Sequence, residues 1–257
     1  MLKAYHLPGG WGLASVSPFC LKLDSFLRMT GIEHQSVTVA APFAGPKKKA
    51  PWIEHDGRTI GDSSLIIAYV KQRFGVDPDA RLTAAQRGQA VAVQRLVEEN
   101  LYWAMVHDRW RTLENWRVLK SSVLGGIPAP LRALVAPMAR RGVKRQLTGH
   151  GMGIHSAAEI AQIAHRDIDA LAAILGDQPW FFGEEPTETD AVVFSLLANI
   201  AYTGFASPMK EMIAGHANLT AFLERFRAQF YSESAGTTAE IAPAPSPENP
   251  TSPPYAR

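Results

Sequence analysis

The stretch Lys49-Ala50-Pro51-Trp52-Ile53-Glu54-His55-Asp56-Gly57-Arg58-Thr59-Ile60-Gly61-Asp62-Ser63-Ser64 reads as two short strands, a tight turn and the start of a helix. Asp56-Gly57 between two strand-like runs favours a hairpin, because glycine takes the positive φ such turns require. Pro51 has no N–H to donate and so belongs at the first residue or edge of a strand. Ser63 or Ser64 then caps a helix carrying Leu65, Ile66, Tyr69 and Val70.

Upstream, Leu2 to Leu7 forms a short strand followed by a Gly-rich loop. Pro18 to Met29 places Phe19, Leu23, Phe26 and Leu27 at helical spacing, with Gly31 as the stop. His34 to Ala40 alternates around Val37 and Val39 as a second strand. The order β-α-β then β-β-α is the connectivity of a thioredoxin-like unit, which predicts an α/β domain over 1–78. Downstream, every signal is helical. Thr83 and Gln86 open a capping box on a run to about Leu119. A segment punctuated by Gly125, Gly126, Pro128, Pro130 and Pro137 follows. Ser156 and Glu159 open a helix to about Leu175, and Thr187 to about Tyr202 and Asn218 to Tyr231 complete an all-helical domain over 83–231. Residues 232–257 are Pro/Ser-rich with little to bury and are expected to be disordered. No internal repeat is present.

The 257 residues are 46% apolar and 19% charged with a formal charge of +2, a composition that supports folded cores and argues against a nucleic-acid binder. A single cysteine excludes intramolecular disulfides and a CxxC pair, and no signal peptide is evident, so a cytoplasmic location is expected. The apolar run from Ala191 to Ala206 is short for a bilayer span and reads as a core helix. The small net charge hides segregation. Residues 109–145 carry 9 basic and 1 acidic side chains, whereas 146–257 carry 5 and 13. The basic block could meet an anionic membrane surface or acidic partner, or simply offset the acidic C-terminal third; the last reading is favoured.

Three places could hold chemistry. Ser17 sits at an N-cap with Pro18 in the first turn, so unpaired amides and the positive helix end converge where a thiolate would be stabilised. A thiol titrates near about 8.5, and a hydrogen bond to a charged acceptor contributes about 1.5–3 kcal/mol against about 1.36 kcal/mol per pKa unit. Toward the upper end of that range one serine hydroxyl can keep a bound thiol largely ionised at neutral pH, although plain capping is the simpler role. Ala50-Pro51 suits a cis bond that frees the backbone of residue 50 for an extended ligand, or an ordinary trans edge proline. Asp62-Ser63 offers a carboxylate, a hydroxyl and amides at a second helix start. The Gly9-Gly10-Trp11-Gly12 loop is not a dinucleotide fingerprint. His150 and His155 lack further ligands nearby, so no metal is expected.

Taken together, Ser17-Pro18-Phe19-Cys20, Lys49 to Gly57 and Ile60-Gly61-Asp62-Ser63 resemble the glutathione-binding domain of the glutathione transferase superfamily. Trp180 to Asp190 is similar to that superfamily's helix-capping motif, with Thr187 as cap and Asp190 reciprocating. The combination of Pro18-Phe19-Cys20-Leu21-Lys22, Pro51-Trp52-Ile53-Glu54 and Gly149 to Ser156 further resembles the failed-axon-connections and metaxin-like branch. The resemblance implies a glutathione-transferase-type helical C-terminal domain and glutathione as co-substrate. It implies that Ala50 and Pro51 meet the cysteinyl backbone, Asp62 and Ser63 hold the γ-glutamyl end, and Lys49 lies near the glycyl end. Ser17 falls where members activate the thiol or carry the nucleophilic cysteine; Ser15, Cys20 and Tyr5 are the alternatives. Because Ser17 replaces the first cysteine of Cys-Pro-x-Cys, dithiol chemistry is not expected, and Cys20 reads as a buried, inert thiol. Trp103, His107 and Trp110, at helical spacing, would wall a pocket for a small electrophile or serve as core. A homodimer and a detoxifying role follow from the same resemblance, as does the alternative of a non-catalytic binding module, with membrane contact left open.

Overall fold

The computed structural model describes residues 1–40, 42–125 and 127–232; the Pro/Ser-rich segment 233–257 lies outside the described residues. A four-stranded sheet has the order β2-β1-β3-β4, from β1 (Leu2–His6), β2 (His34–Thr38), β3 (Trp52–His55) and β4 (Arg58–Gly61). β1 runs parallel to β2, with Leu2 opposite His34, and antiparallel to β3, with Tyr5 opposite Trp52. The turn between β3 and β4 has positive φ at both Asp56 (49°) and Gly57 (72°), the two-residue geometry that matches strand twist. Helices α1 (Pro18–Met29) and α2 (Ser63–Phe74) complete the thioredoxin-like unit. Gly45 lies under the 47–51 loop, where a Cβ would stand 2.4 Å from the Lys49 carbonyl oxygen, so the loop is drawn tightly over Trp52.

The helical part comprises α3 (Ala84–Arg95), a π-helical turn (Leu96–Leu101), α4 (Tyr102–Arg111), α5 (Leu113–Ser122), α6 (Ala129–His150), α7 (Ala157–Leu175), α8 (Glu188–Ala201), α9 (Pro208–Gly215) and α10 (Ala217–Phe230). Capping boxes form at Thr83–Gln86 and Ser156–Glu159. The expected single run from Thr83 is broken at Thr112, whose extended backbone (ψ 144°) ends α4 and starts α5. The Gly/Pro-punctuated segment is instead largely the 22-residue α6. Pro130 sits in its first turn, Pro137 lies on an exposed face where one lost hydrogen bond is tolerated, and Ala, Leu, Arg and Lys supply propensity.

One core spans both parts. α8 is buried along nearly its whole length, from Thr189 to Ile200, and packs against α1. Phe194 stacks on Phe226 at 4.1 Å, with Trp180 and Phe222 closing the cluster; each such ring contributes on the order of 2–3 kcal/mol by leaving water. Lys71 of α2 meets Asp77, Asp79 and, across the boundary, Glu188 at 2.7 Å, and Arg81 reaches Glu185. Acidic side chains of the C-terminal third thus pair with the N-terminal part. None forms an ion pair with residues of the 109–145 block among the described residues, so any offset between the two blocks is not made by direct pairing. Among the described residues no helix is long and apolar enough to cross a membrane.

Candidate active site

A cavity of about 680 Å³ opens where the starts of α1 and α2, the 47–51 loop and the π-helical turn meet. Ser17, Lys49, Ala50, Pro51, Asp62, Ser63 and Trp103 all line it.

At the start of α1 the first amides have no intrahelical partner. Ser17 adopts the extended N-cap backbone and lines the cavity; its side chain makes no cap hydrogen bond, and the Cys20 thiol lies within its hydrogen-bonding reach. Ser15 takes the local structural role. It is 1% exposed, its Oγ donates to the Leu7 carbonyl (2.8 Å) and accepts from the Ser17 N–H (3.3 Å). Cys20 is buried, and that burial pushes its thiol up from the ordinary value, opposite to what a nucleophile needs. Tyr5 is committed elsewhere. Its hydroxyl donates to Glu54 at 2.8 Å, its ring stacks on Trp52, and burial with the Glu54 contact raises it to about 12.

The Ala50–Pro51 peptide bond is cis. Neither backbone polar group of Ala50 has a partner among the described residues, which leaves an N–H and a C=O able to pair with an extended ligand. At α2 the cap is Asp62, not Ser63 or Ser64: its Oδ1 accepts from the Ser64 and Leu65 N–H groups at 3.0 and 3.3 Å. Asp62 holds φ at +90°, a conformation that a non-glycine residue keeps only when its surroundings impose it. Ser63 lines the cavity with a hydroxyl that takes no protein partner among the described residues, although the residue is 4% exposed.

Beneath this floor lies a network absent from the motif reading. Lys22 is 1% exposed; its Nζ donates to Glu98 at 2.5 Å and to Ser64 Oγ at 2.9 Å, and Gln94 donates to Ser64 and to Glu98. A buried ion pair whose remaining atoms are hydrogen-bonded locks α1, α2 and the π-helical turn into one geometry. The signal was present: Lys22 stands between Phe19 and Phe26 on the apolar face of α1, where an unpaired cation would be costly.

The three expected electrophile-wall residues separate. Trp103 lines the cavity and stacks on His150 at 4.7 Å, while Tyr102 packs edge-on against Phe19. Trp110 instead packs against Trp116, and His107 is 5% exposed with Nδ1 unpartnered; neither reaches the cavity. Seven residues of helix span about 10 Å, enough to hand Trp103 and Trp110 to different neighbours. Among the described residues no group of three or more His, Cys, Asp or Glu side chains is placed to hold a metal ion.

Over 240 residues the chain is 33% identical to the isoprene-epoxide glutathione S-transferase of Rhodococcus sp., covering 90% of this chain and 99% of that protein. The chain belongs to the glutathione S-transferase family. Family models for the glutathione S-transferase N-terminal and C-terminal domains match residues 18–115 and 164–226. Among other relatives, Failed axon connections of Drosophila melanogaster is 32% identical over 77% of this chain and 50% of its own length. Metaxin-2 of Mus musculus is 27% identical over 89% of this chain and 88% of its own. A glutathione S-transferase of Methylobacterium radiotolerans, solved with glutathione sulfonate, shares the fold at TM-score 0.60 and 17% identity, over 94% of this chain and 99% of that one.

Proposed function

We propose that this glutathione S-transferase family member is a serine-type transferase that binds glutathione and activates its thiol with Ser17. The observation that carries the reading is that the Ser17 hydroxyl, free of any cap bond, shares one cavity with the unpaired Ala50 backbone and with Ser63. A tripeptide lying along Ala50 would set its cysteinyl thiol at the positive end of α1, where Ser17 and the first amides favour the anion. Ser63 and the outer oxygen of Asp62 would take the γ-glutamyl carboxylate and amine, with Lys49 near the glycyl carboxylate. Asp62 then does two jobs, since one carboxylate oxygen already caps α2.

The electrophile would enter beside Trp103, Tyr102 and Phe19. Small epoxides are the class to test, in keeping with the named activity of the Rhodococcus relative. The thiol loses its proton to solvent, the thiolate attacks a ring carbon, the C–O bond opens, and the alkoxide takes a proton from water. A cytoplasmic homodimer belongs to the same proposal; light scattering tests the assembly.

Calorimetric titration with glutathione of the wild type, Asp62→Ala and Ser17→Ala tests the site. Binding retained in Ser17→Ala, weakened about tenfold or more in Asp62→Ala, and conjugation of an epoxide lost with Ser17 would support the assignment. No heat with glutathione in the wild type would sink it and leave the non-catalytic module, a reading that rests on the likeness to metaxins.

A further inference from the structure

A second cavity, of about 760 Å³, lies on the other side of α6 from the candidate active site. Gln146 lines the active-site cavity, whereas Arg140, Arg141, Lys144 and Arg145 line the second, and at about 100° per residue these fall on opposed faces of one helix. Arg111, from the end of α4, faces the same space. Five cations therefore converge from two elements, and no carboxylate lines the wall.

A solvated basic face would normally carry acidic partners at i±3 or i±4, and this one carries the reverse. Arg140 and Lys144, and Arg141 and Arg145, are like-charge i,i+4 pairs that destabilise α6. None of the five cations is paired with a carboxylate among the described residues. Arg140 is held rigidly, donating to the Trp110 and Arg111 carbonyls at 2.9 Å each with its guanidinium 4.9 Å from the centre of the Trp116 ring. That leaves the donors of Arg111, Arg141, Lys144 and Arg145 for something else. Burial, then Arg140 and Arg111, lower the Lys144 amine from its usual value, as expected for charges crowded without a counter-ion.

We infer that this cavity is an anion-binding site for a free, multiply charged phosphate or sulfate compound, distinct from the glutathione-type cavity. Its recognition rests on several point charges and forked guanidinium donors converging on one set of oxygens, the chemistry best suited to such groups.

Inorganic pyrophosphate titrated into the full chain, at ionic strengths of about 0.05 and about 0.2 M, tests it. The expected result is saturable binding that weakens with salt. Arg141→Glu with Lys144→Glu should lower affinity at least about tenfold, while Arg117→Glu with Lys120→Glu, an equal charge change on α5 outside the cavity, should change it less than about twofold. The cavity variant should unfold at or above the wild-type temperature, because it converts like-charge pairs into opposite ones. Arg141→Gln with Lys144→Gln, which adds no new charge, should also weaken binding. No saturable heat at low salt, or equal weakening by the α5 pair, would overturn the inference. Vesicles of phosphatidylcholine containing phosphatidic acid separate a lipid headgroup from a free ligand. Flotation on them that is lost in the cavity variant would reassign the site to lipid and overturn the free-ligand source; flotation no greater than with phosphatidylcholine alone supports it.

Discussion

The starts of α1 and α8 begin with the same kind of residue and use it in opposite ways. At α8, Thr187 is fully buried and its N–H and hydroxyl both donate to Asp190, whose other oxygen accepts from the Phe181 N–H at 2.8 Å. The expected capping motif is therefore present, with the carboxylate at the third helical position as acceptor for three donors. At α1 the same position is Cys20, no acidic residue occupies the first turn, and Ser17 makes no cap bond. One helix end is filled from within and stabilises the core; the other leaves its first amides without a side-chain cap beside the cavity, as the proposed thiolate site requires. The cavity on α6 supplies a third solution, attracting anions by net charge instead of by amides.

Breaking the filled end should have the largest effect. Asp190→Ala leaves three donors without their acceptor, two of them backbone, and should cost about 3–5 kcal/mol in urea unfolding. Its titration sharpens the point. Burial, outweighing the three hydrogen bonds, raises Asp190 to about 6 from 3.8. The folded state then binds more protons than the unfolded state between these values. The stabilisation is complete below about pH 4 and is lost as pH rises through about 6, by about 2–3 kcal/mol relative to Asp190→Asn. A flat difference between wild type and Asp190→Asn over that window would mean that the hydrogen bonds cancel the effect of burial, and a difference of opposite slope that they dominate it.

Next in size is the buried pair beneath the open end. Lys22→Met strands the Glu98 carboxylate and should cost about 3–4 kcal/mol, whereas Lys22→Met with Glu98→Leu should recover most of it. The double variant also removes one of the two donors to Ser64, leaving Gln94 alone to hold it, so its KM for glutathione should rise even where stability is restored. An unchanged KM would show that the network supports the core alone.

What could be read in advance was local. The span of α1, the Asp56-Gly57 turn and the Thr83 and Ser156 capping boxes depend on neighbours within a few residues, and all appear where the sequence puts them. Residues far apart in the chain decided the rest. Asp62 displaces the serines as the α2 cap, and α9 was overlooked although Ser207 caps it and Pro208 opens it. Lys22 stands on the apolar face of α1, but its partner Glu98 lies 76 residues on and is brought to it only by the packing of the helices. Trp103 and Trp110 share a helical face, but whether they share a pocket depends on α6 and Trp116, which no periodicity within α4 reports. The acidic C-terminal third and the basic block sum to nearly no charge, yet no direct pairing joins them among the described residues; Glu188 and Glu185 reach Lys71 and Arg81 instead.

The open end gives the smallest effects on stability, and that smallness is the test. A serine that caps a helix costs about 0.5–2 kcal/mol when replaced by alanine. Ser17→Ala, whose hydroxyl makes no such bond, should change stability by less than about 0.5 kcal/mol while conjugation falls about 10- to 100-fold. Cys20→Ala should keep conjugation within about twofold, and its loss of stability should stay near 1 kcal/mol, the transfer cost of one small buried group. The pair of variants separates hydroxyl from thiol at positions three residues apart on one helix turn. If Cys20→Ala lost conjugation and Ser17→Ala kept it, the start of α1 would be a buried thiol centre, and its contrast with α8 would collapse, since both ends would then be governed by the third residue of the helix.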